Sequence, residues 1–339
     1  MPHAAIIGLG NAGFRFELDP LRTDIWSHSA AYAASGGVTL VAAVEPDAAK
    51  QADFAARYPQ VALYRTVPEL LAARRIDMVS VCVPTQFHAG VVAQLAGKVA
   101  AIFCEKPLAY DLAEAEGMVA VCAGAGTILA VNFMRRWDSV YKRAKAMLDT
   151  GMLGEPRTIS GYYPGEVFNI GTHMIDTLTY FFGPVAQVAG TVAMREGERE
   201  ASGSALLRFA NGLPGHLVTH GIRKNALFEV DIFGSAGRIR ITGNGRDTVL
   251  NVYRESAHFS GYNELAPSDL PDAEALGVPQ QQRLVAAVEE IAGCIGHPEA
   301  VPACSGVDAL HDQQVADAVC RSSETGAIIT LAPWERRTA

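Results

Sequence analysis

The sequence predicts an α/β domain followed by an α+β domain, with a doubly wound parallel sheet in the first and a mostly antiparallel sheet in the second. Three observations carry this prediction. From Ala4 to about Val131, short apolar runs alternate with helical patterns, as parallel strands joined by crossover helices require. From Arg157 onward strand patterns follow one another with Gly and Asn turns between them, which suits antiparallel neighbours. A length of 339 residues accommodates two domains, each large enough to bury its own core.

The first six strands are expected at Ala4–Leu9, Val38–Val44, Val61–Tyr64, Met78–Val83, Ala100–Cys104 and Thr127–Val131. Two connecting helices announce their starts, because Thr66-Val-Pro-Glu69 and Asp111-Leu-Ala-Glu114 each set a capping oxygen three residues before a carboxylate. The first crossover is irregular. Asp19-Pro20 interrupts it, a loop runs to about Trp26, and a helix resumes near Ser27 and stops at Gly36-Gly37. A helix over Asp138–Thr150, ended by Gly151, opens the second half.

Strands are then expected at Arg157–Tyr163, Ala186–Met194, Ser204–Phe209, Leu227–Gly234, Arg238–Thr242 and Thr248–Tyr253, with one helix, Gly171–Phe182, embedded among them. Gly261 to Pro279 reads as a loop, and helices at Gln282–Cys294 and Gly306–Thr325 close the chain.

Composition narrows the class. With 49% hydrophobic and 19% charged residues, 32 Gly and 17 Pro, the chain is neither disordered, collagenous nor a coiled coil. Its 28 Lys and Arg against 36 Asp and Glu leave a net charge of -8, and basic residues cluster only as pairs such as Arg74-Arg75, Arg135-Arg136 and Arg336-Arg337. Nucleic acid and anionic membrane are therefore not expected partners. The six cysteines (Cys82, Cys104, Cys122, Cys294, Cys304 and Cys320) form no C-x-x-C pair, and reduced core thiols in a cytoplasmic protein explain them. Gly117 to Met134 carries no charge, but Gly124-Ala-Gly126 divides it into helix, turn and strand rather than a membrane span. The opening Met1-Pro2-His3 and apolar strand lack the layout of a secretory signal.

Gly8-Leu-Gly10-Asn11-Ala12-Gly13 follows the first apolar strand, where backbone must turn tightly and come close to a pyrophosphate. The alternative for such a motif alone is an ordinary glycine-rich turn. Glu45, closing the second strand, lies 32 residues beyond Gly13, farther than the usual spacing of about 20 because of the irregular crossover. A carboxylate there accepts hydrogen bonds from adenosine ribose hydroxyls and repels a 2'-phosphate, so NAD is favoured over NADP. Read alone, Glu45 is equally a solvated loop acid. Glu105-Lys106-Pro107 ends the fifth apolar run and so emerges at the carboxyl edge of the sheet, where ligands bind.

These motifs, with Val81-Cys-Val-Pro84-Thr85-Gln-Phe-His88, resemble the Gfo/Idh/MocA family of NAD(P)-dependent oxidoreductases. The likeness continues through Asn132-Phe-Met-Arg135-Arg136 and Gly171-Thr-His173-Met-Ile-Asp176 to Ser322-Ser-Glu-Thr-Gly326. It implies an N-terminal Rossmann domain at residues 1–130 that binds the dinucleotide, and at 131–339 a substrate-binding and oligomerisation domain on an open, mostly antiparallel sheet. The implied activity is hydride transfer between NAD and a secondary hydroxyl of a sugar or cyclitol, in a homodimer or homotetramer. The resemblance makes Lys106 and His173 the chemical pair. It places Pro84, Thr85 and His88 at the cofactor, and Glu105 either at the nicotinamide ribose or against Lys106.

Residue chemistry agrees with that pair. In a helix running from Asn169, steps of about 100° align Asn169, His173, Asp176 and Tyr180 on one stripe. Histidine, with an unperturbed pKa of roughly 6.5, suits the base that takes a hydroxyl proton, and Lys106 suits stabilisation of charge developing on the reacting oxygen. Many family members carry Asp where this chain has Asn169; an amide cannot serve as a base but can hold a sugar hydroxyl or orient the imidazole. Asp176 is a candidate for substrate binding, for support of His173 or for helix packing. Arg135 and Arg136 are candidates for substrate binding or for fastening the domains.

Asn11, the inserted Glu17-Leu-Asp19-Pro20 and Tyr162-Tyr163-Pro-Gly165 also resemble members associated with surface polysaccharide biosynthesis, which adds a nucleotide-linked sugar to the substrate classes and Tyr163 to the substrate contacts. Two other readings remain: an NAD-dependent glycosidase of the same family, and a non-catalytic NAD(H)-binding regulator. No metal is expected, because His216 and His220 lie in a strand-like run, where four residues span about 13 Å. No serine lies in a G-x-S-x-G turn.

Overall fold

The six apolar runs of the first half form one parallel sheet in the computed structural model, which describes residues 1–194, 201–222, 225–268 and 282–334. The strands are β1 (His3–Ile7), β2 (Thr39–Val44), β3 (Ala62–Tyr64), β4 (Met78–Val81), β5 (Ala101–Cys104) and β6 (Ile128–Val131). Their order is β3-β2-β1-β4-β5-β6, all parallel. This is the doubly wound order, and the strand sequence reverses between β1 and β4, so the crevice for a ligand opens there.

The crossovers are α1 (His28–Ala34), α2 (Ala48–Arg57), α3 (Val67–Ala73), α4 (His88–Leu95) and α5 (Leu112–Gly124). Both anticipated caps form: Thr66 accepts from the Glu69 N–H at 3.3 Å, and Asp111 accepts from Ala113 and Glu114 at 2.8 and 3.1 Å. After α5 the chain turns at Gly126, whose φ of 67° is in the left-handed region that glycine tolerates. Among the described residues no helix is long and apolar enough to cross a membrane.

The irregular first crossover is built as expected. A 3₁₀ turn spans Arg15–Leu18, and α1 begins only after Ser27, whose hydroxyl caps it by accepting from Ala30 at 3.1 Å. Glu17 secures this segment. Its side chain, 5% exposed, accepts from the Ser27 and Ser29 hydroxyls on Oε1, and from Arg57 Nε at 2.8 Å and the Tyr58 hydroxyl at 2.7 Å on Oε2. Burial first, and the Glu17 carboxylate second, push the Tyr58 phenol up to about 12, so it stays a donor. Phe14, Phe54 and Tyr58 pack edge to face or tilted beneath it, with Phe14 and Phe54 ring centres 5.1 Å apart.

The second unit contains α6 (Ser139–Asp149), β7 (Pro156–Tyr163), α7 (Thr172–Phe182), β8 (Val185–Ala193), β9 (Ser202–Phe209), β10 (Pro214–Thr219), β11 (Glu229–Gly234), β12 (Gly237–Thr242), β13 (Asp247–Glu255) and β14 (Asn263–Pro267). α8 (Arg283–Cys294), α9 (Gly306–Thr325) and the short β15 (Ile329–Thr330) follow. The sheet order is β14-β13-β12-β11-β7-β10-β9-β8-β15, antiparallel throughout except for the parallel pair β7 and β10.

Its buried face is Ile159, Leu207, Phe209, Leu217, Val230 and Ile232, packed with Met174 and Leu178 of α7. At Gly161 a Cβ would lie 2.3 Å from the Met174 sulfur, so the missing side chain lets α7 lie directly on β7.

Two expectations are corrected here. The segment Gly261 to Pro279 is not all loop, because β14 pairs with β13 in register, Leu265 opposite Tyr253; its residues 269–279 lie outside the described residues. The domain expected at 131–339 is not continuous either. The chain forms one unit from residues 1–137 and 282–310 and another from 138–268 and 311–334. The reason is the apolar face of α8, whose Leu284, Ala287, Val288 and Ile291 are buried in the core of the first unit. All six cysteines are free thiols, five of them buried.

Because Glu17 accepts from four donors, Glu17→Ala removes their shared acceptor. The variant is expected to lose about 3 kcal/mol of stability, measured by urea unfolding.

Candidate active site

The glycine motif turns the chain at the end of β1. Gly8 has φ 94°, and a Cβ there would lie 2.8 Å from the Cys82 carbonyl; a Cβ on Gly13 would lie 2.0 Å from the Gly8 oxygen. These two glycines are therefore demanded by backbone packing. At Gly10 a Cβ meets nothing within 4 Å, so that position is bare toward open space, as close approach of a ligand requires. Gly10, Asn11 and Ala12 line a cleft of about 520 Å³ together with Gly8, Glu45, Pro84, Thr85, His88, Glu105 and Lys106. Every residue anticipated at the cofactor lies on this cleft except Gly13, which stands behind it.

Each wall of the cleft is held by named contacts. Glu45, 5% exposed, accepts from the Leu9 N–H at 2.9 Å on Oε2 and from the Asp47 N–H at 3.1 Å on Oε1. A carboxylate offers about four lone-pair positions, so two backbone donors leave room for hydroxyls. Lys50, which sequence reasoning missed, also lines the cleft, with Nζ 3.9 Å from Glu45 Oε1; its signal was the first turn of α2 following Glu45.

His88 corrects an expectation. It lines the cleft, but Nε2 lies 3.0 Å from the Val83 oxygen and Nδ1 lies 3.1 and 3.2 Å from the Leu108 and Pro107 oxygens. Its ring ties two loops together and has no nitrogen left for a ligand.

Glu105 lies at the end of β5, with Lys106 beside it on the cleft. Its Oε1 accepts from His28 Nε2 at 2.9 Å and Asn132 Nδ2 at 2.7 Å. Burial pushes this carboxyl up, but the bond and charge of His28, then Asn132 and Lys106, outweigh it and hold the pKa below the ordinary value. Cys82 and Cys104 beside it are pushed well up, by burial first and then by the Glu105 charge, so both remain neutral thiols.

The remaining anticipated residues fall in two places. Arg135, in the turn Met134–Trp137 of the first unit, is partly buried. Its neighbour Arg136 is a fastener inside that unit, donating to the Ala303 oxygen at 3.0 Å and lying 3.6 Å from Asp308. Asn169, His173, Asp176 and Tyr163 belong to the second unit.

The helix expected from Asn169 begins irregularly. Val167–Gly171 is a π-helical turn, closed by the Gly171 N–H on the Glu166 oxygen at 2.9 Å, and α7 starts at Thr172. Asn169 therefore sits in the wider turn and His173 in the regular helix that follows it. Tyr163 is also corrected: it is wholly buried, its hydroxyl donates to the Gly203 oxygen at 2.5 Å, and burial pushes its phenol up. Asp176 is 1% exposed and His173 7%, so both are buried side chains of α7.

His216 and His220 have separate partners, the Ser160 hydroxyl at 3.1 Å and the Ile222 N–H at 3.1 Å. Among the described residues no cluster of His, Cys, Asp or Glu could hold a metal ion.

Comparison with known proteins gives this geometry its family. The oxidoreductase family's NAD-binding Rossmann fold matches residues 3–133, and the GFO/IDH/MocA C-terminal domain matches residues 163–240. The chain belongs to the Gfo/Idh/MocA oxidoreductase family. Among curated Gfo/Idh/MocA relatives, the dTDP-3,4-didehydro-2,6-dideoxy-alpha-D-glucose 3-reductase of Streptomyces antibioticus is 29% identical over 226 residues, 60% of this chain and 67% of that protein. The myo-inositol 2-dehydrogenase of Thermotoga maritima is 28% identical over 210 residues, 55% of this chain and 62% of that protein. Other matches cover less, 43% and 52% in two further relatives, so the chain spans about half the length of the curated relatives it matches.

The WlbA dehydrogenase of Bordetella pertussis, solved with NADH and UDP-GlcNAcA, shares the fold at a TM-score of 0.80, with 18% identity and coverage of 98% of both chains.

Two outcomes follow from the Gfo/Idh/MocA cleft. Gly10→Val should leave stability within about 1 kcal/mol yet weaken NADH at least about tenfold, whereas Gly8→Ala should cost about 2 kcal/mol or more through strain. Urea unfolding and NADH fluorescence titration separate them. The folded pKa of Glu105 lies below its unfolded value, so its stabilising contribution is complete above the ordinary carboxylate range and is lost as pH falls through the lowered value. Glu105→Gln should flatten that acid limb in unfolding measured against pH.

Proposed function

We propose that the protein is an NAD-dependent dehydrogenase that moves a hydride between nicotinamide and a secondary hydroxyl of a sugar, cyclitol or nucleotide-linked sugar. The observation that carries this reading is the single cleft on which the bare Gly10, the anchored Glu45 and the Glu105-Lys106 edge meet. The residues fit the cofactor: the glycine turn admits a pyrophosphate, and the Glu45 carboxylate accepts ribose hydroxyls and repels a 2'-phosphate. When bound, NAD supplies the hydride acceptor.

The chain's own residues supply the rest. Lys106 donates an N–H to the reacting oxygen and stabilises the charge that develops there. His173 takes the hydroxyl proton during oxidation and returns it during reduction. Asn169, partly exposed on its π-turn, holds a substrate hydroxyl through its amide, and Arg135 is a second candidate contact. Glu105 orients Lys106 and accepts from the nicotinamide ribose through the oxygen that His28 and Asn132 leave vacant. The nucleotide-linked sugar of the WlbA dehydrogenase and the dTDP-sugar of the Streptomyces reductase support the third substrate class.

We place the protein in the cytoplasm, where its free thiols stay reduced. Leu206, Val218 and Val249, exposed on the sheet of the second unit, suit association with a second copy as a dimer or tetramer.

Incubation with NAD and a panel of aldoses, inositols and nucleotide sugars should produce the absorbance of reduced nicotinamide with at least one of them. Lys106→Ala should lower kcat at least about a hundredfold while NADH affinity stays within a few-fold. His173→Asn should lower kcat and remove the fall of oxidation rate toward acid pH that a base must show. Full turnover in Lys106→Ala would end this assignment.

A further inference from the structure

A row of buried polar side chains lies behind Glu105. The Tyr32 hydroxyl is 2.7 Å from Ser80 Oγ, Ser80 Oγ is 2.8 Å from His28 Nδ1, and His28 Nε2 is 2.9 Å from Glu105 Oε1. His28 and Ser80 are wholly buried and Tyr32 is 2% exposed. α1 carries both His28 and Tyr32, one turn apart, while Ser80 sits on β4. The imidazole packs on Phe103 of β5, with ring centres 4.9 Å apart.

The donors in this row can be assigned one by one. An ionised carboxylate only accepts, so His28 Nε2 carries a proton. In the neutral ring the other nitrogen accepts, so Ser80 donates to Nδ1 and Tyr32 to Ser80; in the imidazolium Nδ1 donates to Ser80 instead, and Nε2 presents the same N–H to Oε1 in both. Burial pushes the Tyr32 phenol up, so its proton stays in place. In the neutral ring the row runs in one direction from Tyr32 to Glu105.

We propose that His28 is a positioning residue of the cofactor cleft: the Tyr32–Ser80–His28 row presents one N–H to Oε1 of Glu105, joins Asn132 there, and commits the carboxylate's other oxygen to the cleft beside Lys106. This rests on the reading that the cleft holds NAD. It extends that reading by naming a residue that touches neither cofactor nor substrate.

The groups facing Glu105 are His28 from α1, Lys106 beside it, Asn132 after β6, and Cys82 and Cys104, whose thiols stay neutral. Loss of the His28 contact removes the leading opponent of burial, so Glu105 protonates at higher pH. NADH binding that needs the carboxylate then weakens earlier as pH falls.

The test uses the full chain labelled with ¹⁵N-histidine, the His28 signal being identified by its absence in His28→Gln. The Nε2–H form is expected in the wild type, with a mixture of forms in Ser80→Ala. NADH fluorescence titrations across pH should show His28→Leu binding about tenfold more weakly, with its acid limb displaced to higher pH. His28→Gln, whose amide N–H reaches toward Oε1, should recover most of both effects.

An Nδ1–H form in the wild type would overturn the proposal. So would wild-type NADH binding by folded His28→Leu, or a loss equal at every pH that His28→Gln does not repair. A wild-type protein with no NADH affinity would refute the cofactor reading, and the tautomer measurement alone would then decide the role of His28.

Discussion

The contact between Gly13 and the Gly8 carbonyl, with Gly8 itself pressed on the Cys82 backbone, is the constraint from which the rest of the first unit follows. A side chain at either position would overlap backbone atoms, and backbone cannot move aside as a flexible side chain can. The tight turn leaves Gly10 bare at the point where the strand order reverses. A dinucleotide-sized cleft is therefore a consequence of packing between β1 and β4, and the long loop after the turn does not disturb it. That loop is anchored elsewhere, through Glu17, at the far end of α2.

The polar groups at this sheet edge share a design. Glu45 is fixed by two backbone N–H groups, His88 by carbonyl oxygens, and Glu105 by an imidazole and an amide. Each is held before any ligand arrives, so binding requires little reorganisation of side chains. The cationic tips are placed differently: Lys50 lies 3.9 Å from its carboxylate, a separation at which a charge is available without being locked. Fixed anions with adjustable cations suit a ligand that carries both hydroxyls and phosphates.

In the second unit, the π-turn before α7 has a similar structural cause. Tyr163 ends β7 with its ring buried and within 3.1 Å of where a Gly171 side chain would begin. The chain widens by one residue to pass this ring, and Asn169 is presented from the widened turn while His173 stays in regular helix. Tyr163 thus packs beneath this turn as a buried side chain.

Local patterns made most of the architecture readable. Strand positions β1 to β6 follow from apolar runs, and the Thr66 and Asp111 caps depend on neighbours three residues away, so both are properties of short stretches of chain. The residues of the cleft were legible for the same reason, since a glycine turn, a strand-ending Glu45 and Glu105-Lys106 declare their places by position along strands. What required the tertiary structure was every contact between distant segments. His28 meets Glu105 across 77 residues and Ser80 across 52; α8 returns to the first core after the whole antiparallel sheet has been traced; and Tyr163 is buried because α7 and β9 close over it. The sequence determined which backbone conformations were available. Only the folded chain decided which polar side chains meet, because that pairing depends on packing between elements that no local period encodes.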